Sequence, residues 1–193
     1  MSKRVCPWWL GYFLASPVRR LLCDPGEIVG PYVHEGMTVL EPGPGMGFFT
    51  LELARRVGPS GRVIAVDIQP RMIEGLKRRM AKAGLLERVD ARLASPDCMG
   101  LSDLAGAVDF TLAFAVVHEM PAAELFFAET ARASKAGASL LLVEPGGHVR
   151  APEFEAELQA AAQAGFVVAS RPSVRRSHAA LLKKGQGLVA IHD

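Results

Sequence analysis

From position 37 onward, short apolar runs typical of strands alternate with longer segments of helical periodicity. Strands joined by helices form right-handed βαβ units, so the alternation predicts an α/β fold with a parallel sheet. One run, Leu140 to Val143, is apolar at every position, as expected of a strand covered on both faces. The predicted strands are 38–41, 62–67, 89–93, 108–115, 140–143, 166–169 and 179–182, and the predicted helices are 48–57, 70–83, 122–133 and 152–164.

The composition is that of a globular protein, with 193 residues of which 50% are hydrophobic and 22% are charged. The chain has a formal net charge of only +2 and lacks the clustered basic residues of a dedicated nucleic-acid binder, so we expect no nucleic-acid partner. The three cysteines have no paired spacing, which predicts a reduced, cytoplasmic chain without disulfides or a zinc ribbon.

The residues before position 37 form an N-terminal extension, 1–36, that is rich in aromatic side chains. Its apolar run, 5–15, follows two basic residues in the manner of a signal peptide, but it is broken by proline and glycine and is too short to cross a bilayer. We expect the extension to pack on the sheet edge as a helix pair, to act as a lid over a substrate pocket, or both. The prediction is one domain, 1–193, with a core over 37–184 and no stable membrane insertion.

A glycine-rich loop, EPGPGMGF over residues 41–48, follows the first predicted strand and opens a helix. Ligands of doubly wound folds bind at this end of the strands, where glycines let the backbone approach a ligand closely. A dinucleotide fingerprint reads G-x-G-x-x-G, and Gly43 and Gly45 fit its first two positions. Its third position is occupied by Phe48, and the third glycine stands one place earlier, at Gly47. This spacing argues against a nicotinamide cofactor.

An acidic residue, Glu41, precedes the loop, and E-x-G-x-G-x-G after a strand resembles motif I of class I S-adenosylmethionine-dependent methyltransferases. Segments 108–120, 136–145 and 165–166 resemble further motifs of that family, so the resemblance spans 37–184. Within the family, the chain is most similar to the small-molecule methyltransferases of the ubiquinone/menaquinone-biosynthesis type. The resemblance implies a Rossmann-like three-layer sandwich with a seven-stranded, mostly parallel sheet and an antiparallel last strand.

The resemblance also implies where S-adenosylmethionine binds. The acidic residue before the loop, Glu41, suits the cationic ammonium and sulfonium of this ligand. Asp67 ends the second strand, where a carboxylate binds ribose hydroxyls in doubly wound folds. NAD enzymes share that carboxylate, so Asp67 alone does not discriminate between the two cofactors. Either Asp97 or Ser95 would bond the adenine amino group. The implied cofactor-binding residues are Glu41, Gly43, Gly45, Gly47, Asp67, Ile68, Met72, Ser95, Asp97 and Ala115.

His118 follows the fourth predicted strand and is our candidate catalytic base, because an imidazole can take a proton near neutral pH. The alternative is that it packs structurally. Glu119, Glu144 and His148 fall on the same rim, but their spacing is not a recognised metal-ligand pattern, so we expect a polar substrate pocket and no metal. We expect the other histidines at surface or loop positions, namely His34, His178 and His192.

The motifs predict a methyltransferase that acts on a small-molecule acceptor. The fourth strand ends in Ala113-Phe114-Ala115, without the [DNS]-P-P-[YF] motif of adenine and glutamine N-methyltransferases. Two alternatives stay open: a domain that binds S-adenosylmethionine without catalysis, and an NAD(P)-dependent oxidoreductase. The sequence leaves the acceptor, its reacting atom and the oligomeric state undetermined.

Overall fold

A computed structural model describes residues 23–186. A short helix, α1 (Pro25–Val29), opens this part and had no counterpart in the sequence prediction. Its N-cap is Asp24, whose carboxylate accepts a hydrogen bond from the Gly26 backbone N–H at 2.8 Å, and Pro25 occupies the first turn. The predicted helix pair and the signal-like run fall mainly on residues 1–22, outside the described residues, so the lid role of the extension and the single-domain organisation stay predictions.

Seven strands form one sheet in the order β3-β2-β1-β4-β5-β7-β6. β7 is antiparallel to both of its neighbours, β5 and β6, whereas all other pairs are parallel. The predicted sheet, including its antiparallel last strand, is therefore confirmed. The strands are β1 (Thr38–Pro42), β2 (Arg62–Asp67), β3 (Val89–Leu93), β4 (Val108–Phe114), β5 (Ser134–Pro145), β6 (Phe166–Ser170) and β7 (Ser177–Lys184).

The helices connect the strands in the predicted order. The first of the predicted helices begins later than expected, at Thr50, because the glycine-rich loop occupies the positions before it in turn conformations. Three short 3₁₀ turns, 86–88, 102–104 and 117–119, complete the connections. The remaining helices are α2 (Thr50–Arg56), α3 (Pro70–Lys82), α4 (Ala123–Ala133) and α5 (Ala151–Gln163).

Apolar side chains cover both faces of the sheet, which explains the uninterrupted apolar run in β5. Leu140 and Leu142 pack in one core cluster with side chains of α4 and α5, whereas Leu141 and Val143 pack in a second cluster with side chains of α2 and α3. Successive strand residues point to opposite faces, so both halves of the run are buried. The result is a helix–sheet–helix sandwich of three layers.

His178 lies in β7, half-buried, and stacks on Phe154 of α5 with ring centroids 5.5 Å apart, so the predicted loop position is wrong, whereas its side chain is partly exposed. The predicted strand began one residue after His178, because the apolar run begins at Ala179. Among residues 23–186, no helix has the length and apolar character needed to cross a membrane.

Candidate functional site

A cavity of about 800 Å³ opens at the carboxyl ends of β1, β2 and β4. The strand order reverses between β1 and β4, and this switch point is where open α/β sheets bind ligands. Its volume lies in the ordinary range for small-molecule sites. The structure brings together at this cavity ten of the predicted site residues: Glu41, Gly43, Gly45, Asp67, Ile68, Met72, Ser95, Asp97, Ala115 and His118.

The glycine-rich loop forms one wall of the cavity. Gly43 and Gly45 both have positive φ, +65° and +55°, which favours glycine. A Cβ at Gly43 would lie 2.5 Å from Cγ2 of Val116, so the loop and the turn after β4 approach each other closely there. Gly47 also has positive φ but does not line the cavity, and a Cβ on it would lie 3.1 Å from Cε of Met80 in α3. The structure thus places Gly47 at a helix contact and not with the other predicted cofactor residues.

Glu41 lies almost fully buried at the base of the loop, with 3% of its surface exposed. Its Oε2 accepts a hydrogen bond from the Thr50 hydroxyl at 2.6 Å. Burial raises the pKa of Glu41 to about 7, although the Thr50 hydrogen bond opposes this change. Sequence reasoning missed Thr50, because a threonine in the first turn of a helix is commonplace. In its ionised form, Glu41 is a buried negative charge suited to a cationic ligand.

Asp67 occupies the end of β2 beside the glycine-rich loop, and a backbone hydrogen bond from Gly45 of that loop acts on its carboxylate. Its Oδ1 accepts a hydrogen bond from the Gln69 backbone N–H at 2.8 Å, which fixes the orientation of the carboxylate. Burial raises the pKa of Asp67 to about 6, against the opposing effect of this backbone hydrogen bond. A carboxylate held at this place can accept hydrogen bonds from a diol.

The charged side chains that line the cavity are acidic. Besides Glu41 and Asp67, its lining includes Asp97, Glu119 and Glu129, whereas no lysine or arginine of residues 23–186 lines it. Carboxylates gathered in a concave site raise the local concentration of cations and disfavour anions. The cavity therefore suits neutral or positively charged ligands.

The loop after β3 carries Ser95 and Asp97 and is fixed by hydrogen bonds to α4. Glu129 of this helix accepts backbone hydrogen bonds from Met99 at 2.8 Å and from Gly100 at 3.2 Å. Cys98 also donates its thiol to Glu129, at 3.3 Å. No local sequence pattern signals these contacts, because the partners lie about 30 residues apart, and sequence reasoning missed Glu129.

One residue adopts a left-handed backbone conformation where β4 ends at the cavity. Ala115 has a φ of +55°, which is uncommon for a residue with a side chain, and its N–H donates to the Val143 carbonyl at 2.7 Å. The 3₁₀ turn Val117–Glu119 follows directly. This change of direction brings the turn, and with it His118, onto the cavity wall.

Glu144 of β5 holds the His118 ring. The distance between Nδ1 of His118 and Oε2 of Glu144 is 2.5 Å, and this hydrogen bond is the largest cause of a raised His118 pKa. The ring of His148 lies near it, with centroids 5.9 Å apart. Glu144, which was expected on the cavity rim, is fully buried behind the histidine. In the described part of the chain, no group of three or more His, Cys, Asp or Glu side chains is arranged to hold a metal ion.

The fold and the cavity define a Rossmann-like α/β domain whose ligand site lies at the switch point of the sheet. A family model described as a methyltransferase domain matches residues 33–178. The chain belongs to this family of S-adenosylmethionine-dependent methyltransferases.

Relatives of known name support this assignment and differ in their substrates. An arsenite methyltransferase of Halobacterium salinarum is 33% identical over 59% of this chain and 26% of its own length. A catechol O-methyltransferase of Mycobacterium tuberculosis is 40% identical over 39% of this chain and 34% of its own. A tRNA methyltransferase of Methanocaldococcus jannaschii is 34% identical over 29% and 20%, respectively. The matches thus span 20% to 34% of the length of these relatives.

A solved structure covers more of the chain. An S-adenosylmethionine-dependent methyltransferase from Aquifex aeolicus superimposes with a TM-score of 0.80 and 27% identity, over 93% of this chain and 98% of that one. The likeness therefore extends over nearly the whole length of both chains. The narrower resemblance to the ubiquinone/menaquinone-biosynthesis type stays a prediction.

Proposed function

We propose that this chain transfers the methyl group of S-adenosylmethionine to a neutral or cationic small-molecule acceptor in the cavity beside His118. The observation that carries the proposal is the acidic cavity at the switch point, with five carboxylates and, within residues 23–186, no basic side chain except histidine in its lining. A nucleic-acid acceptor would bring phosphates toward these carboxylates, against their mutual repulsion. A small molecule without anionic groups avoids this cost.

The residues of the cavity fit the cofactor. When bound, S-adenosylmethionine supplies an electrophilic methyl on a sulfonium. Gly43 and Gly45 let the backbone approach its methionine part, and Glu41 supplies a buried negative charge for its cationic groups. Asp67 accepts the ribose hydroxyls, and burial of both carboxylates makes their ionised forms dependent on such partners.

The nucleoside part of the cofactor extends toward the ends of β2 and β3. Ile68 and Met72 provide apolar surface for the adenosine, and either Ser95 or Asp97 bonds the adenine amino group. On the acceptor side, Met120, Leu125 and Phe126 give the cavity an apolar wall next to His118. Because the donor methyl is already activated, the chain accelerates transfer mainly by positioning the two ligands and excluding water.

Calorimetric titration with S-adenosylmethionine, S-adenosylhomocysteine and NAD tests the cofactor assignment. We expect micromolar binding of the first two and none of NAD. Asp67→Asn retains the oxygen that accepts the Gln69 N–H, so the fold is kept. It loses the negative charge that accepts the ribose hydroxyls, and the affinity for S-adenosylmethionine should fall at least tenfold. Glu74→Gln, on the exposed face of α3, removes the same charge far from the cavity and should leave affinity unchanged. Equal binding by all three proteins, or binding of NAD alone, contradicts the proposal.

Methyl transfer itself is tested with labelled S-adenosylmethionine and a small-molecule extract, with and without intact RNA, and with ribonuclease-treated RNA as a control. Label in the small-molecule fraction supports the proposal. Label in RNA overturns the small-molecule acceptor, and cofactor binding without any transfer identifies a non-catalytic binding protein.

For the cellular compartment, we propose the cytoplasm, because the exposed thiol of Cys98 at the cavity suits reducing conditions.

A further inference from the structure

Glu144 uses both of its oxygens on the turn that carries His118. Oε1 accepts the backbone N–H of Val117 at 2.8 Å and lies 3.4 Å from the backbone nitrogen of His118. Oε2 faces Nδ1 of the His118 ring at 2.5 Å. The carboxylate is fully buried, whereas the imidazole lines the cavity, so Glu144 orients a ring that ligands can reach.

This arrangement selects one form of the neutral imidazole. An ionised carboxylate accepts hydrogen bonds but has no proton to donate. The proton that lies between His118 and Glu144 must therefore be on Nδ1. The second nitrogen, Nε2, then bears the lone pair. It is the ring nitrogen left for a molecule bound in the cavity, because Nδ1 is occupied by Glu144.

We propose that Glu144 is a positioning residue that makes Nε2 of His118 a general base, and that the methyl acceptor is a weakly acidic hydroxyl or thiol. This inference rests on the methyl transfer proposed above. The acceptor X–H gives its proton to Nε2, its lone pair forms the bond to the methyl carbon, and the electron pair of the carbon–sulfur bond returns to sulfur. The products are X–CH₃, S-adenosylhomocysteine and a protonated His118, which releases its proton to solvent.

The charges around His118 favour its protonated form once the acceptor proton arrives. Glu144 of β5, Glu119 of the same turn and Glu157 of α5 all raise the pKa of His118, and His148 is the neighbouring titratable ring. A base with a raised pKa is stronger, but it must first lose its own proton. Turnover should therefore increase with pH through an inflection above the ordinary histidine value of 6.5.

The tautomer test uses ¹⁵N NMR of the imidazole in the complex with S-adenosylhomocysteine. We expect the neutral His118 ring to carry its proton on Nδ1. In Glu144→Gln the amide oxygen still accepts the Val117 N–H, so the amide NH₂ faces Nδ1 and donates to it. The tautomer then inverts, with the proton on Nε2, where the ring can no longer accept a proton from the acceptor. A wild-type ring protonated on Nε2, or no inversion in the variant, overturns the positioning role.

Glu119→Gln is the matched control, because it removes a carboxylate near the same ring without removing the Nδ1 hydrogen bond. It should lower the pKa of His118 and leave the tautomer unchanged. Inversion of the tautomer in this control would show that charge alone sets the proton position, which also overturns the role of Glu144.

The acceptor class is tested with three probes, phenol, benzyl mercaptan and benzylamine, incubated with S-adenosylmethionine at pH 8, where the phenol and the thiol are mostly protonated. We expect methylation of the phenol or of the thiol, with kcat about 100-fold lower in Glu144→Gln and the KM for the cofactor unchanged. The product distinguishes the hydroxyl from the thiol. Methylation of the amine alone, or of none of the three by protein that binds the cofactor, overturns the acceptor class. Failure of cofactor binding in calorimetry would instead refute the proposed function itself.

Discussion

Neutralising Glu41 should stabilise the ligand-free protein at alkaline pH. The folded-state pKa of Glu41, about 7, lies above the ordinary 4.5, so ionisation of this buried group opposes folding. The folded state binds the extra proton between these values, and stability therefore decreases as the pH increases from about 4.5 to 7. At about 1.4 kcal/mol per pKa unit, the full effect above pH 7 is ~3 kcal/mol, of which ~2.5 kcal/mol develops between pH 5 and pH 8.

The variant Glu41→Gln removes the charge and keeps an oxygen that accepts the Thr50 hydroxyl. Urea denaturation at pH 5 and pH 8 gives the free energy of unfolding of both proteins, and the difference between them should grow by ~2.5 kcal/mol at the higher pH. Any fixed cost of the buried amide cancels in this comparison. Glu74→Gln, exposed on α3, should show almost no pH dependence. An equal difference at both pH values for Glu41→Gln would refute the assignment of a raised pKa.

Three further substitutions test other parts of the structure. Gly43→Ala and Gly45→Ala both place a side chain at positive φ, at about 1 kcal/mol each, but only the first meets Val116, so urea denaturation should show a cost larger by at least ~1 kcal/mol for Gly43. Glu129→Gln should speed hydrogen exchange at residues 99–101 by mass spectrometry, and unchanged exchange would exclude Glu129 as their anchor. Arg92→Ala removes two partly exposed ion pairs and should lower stability by less than ~1 kcal/mol in thermal denaturation, with the loss shrinking in high salt.

The sequence predicted best those elements that have sharp boundaries. The bounds of β2 and β3 are the predicted ones, because β2 is an apolar run between two charged residues and β3 alternates apolar with charged residues. The start of β5 was missed by six positions: its first residues, from Ser134, are polar or small and pair with β4 across a bulge. The five-residue α1 was missed because it is too short to show helical periodicity, although Asp24 and Pro25 are ordinary signals of a helix start.

The site shows the same division between local and distant signals. Glu41 and Asp67 were placed correctly at the cavity because each directly follows or ends a strand, a position that the parallel topology fixes. The roles of Glu129 and Glu144 arise from contacts across about 30 residues of chain, which no local pattern encodes. For Gly47 a local pattern was misleading. Its spacing suggests a loop glycine of the cofactor site, whereas its surroundings place it against α3.

The position of β7 has a consequence for how the chain is made. Of the seven strands within residues 23–186, β7 is synthesised after the other six, yet it lies between β5 and β6 and pairs with both. At ribosomal rates of roughly 5–20 residues per second, the stretch from Pro145 to Ser177 leaves the edge of β5 without its partner for roughly 2–6 s. During this interval the nascent chain presents Leu140 to Val143 on an open strand edge, where chaperones or other nascent chains can pair with it.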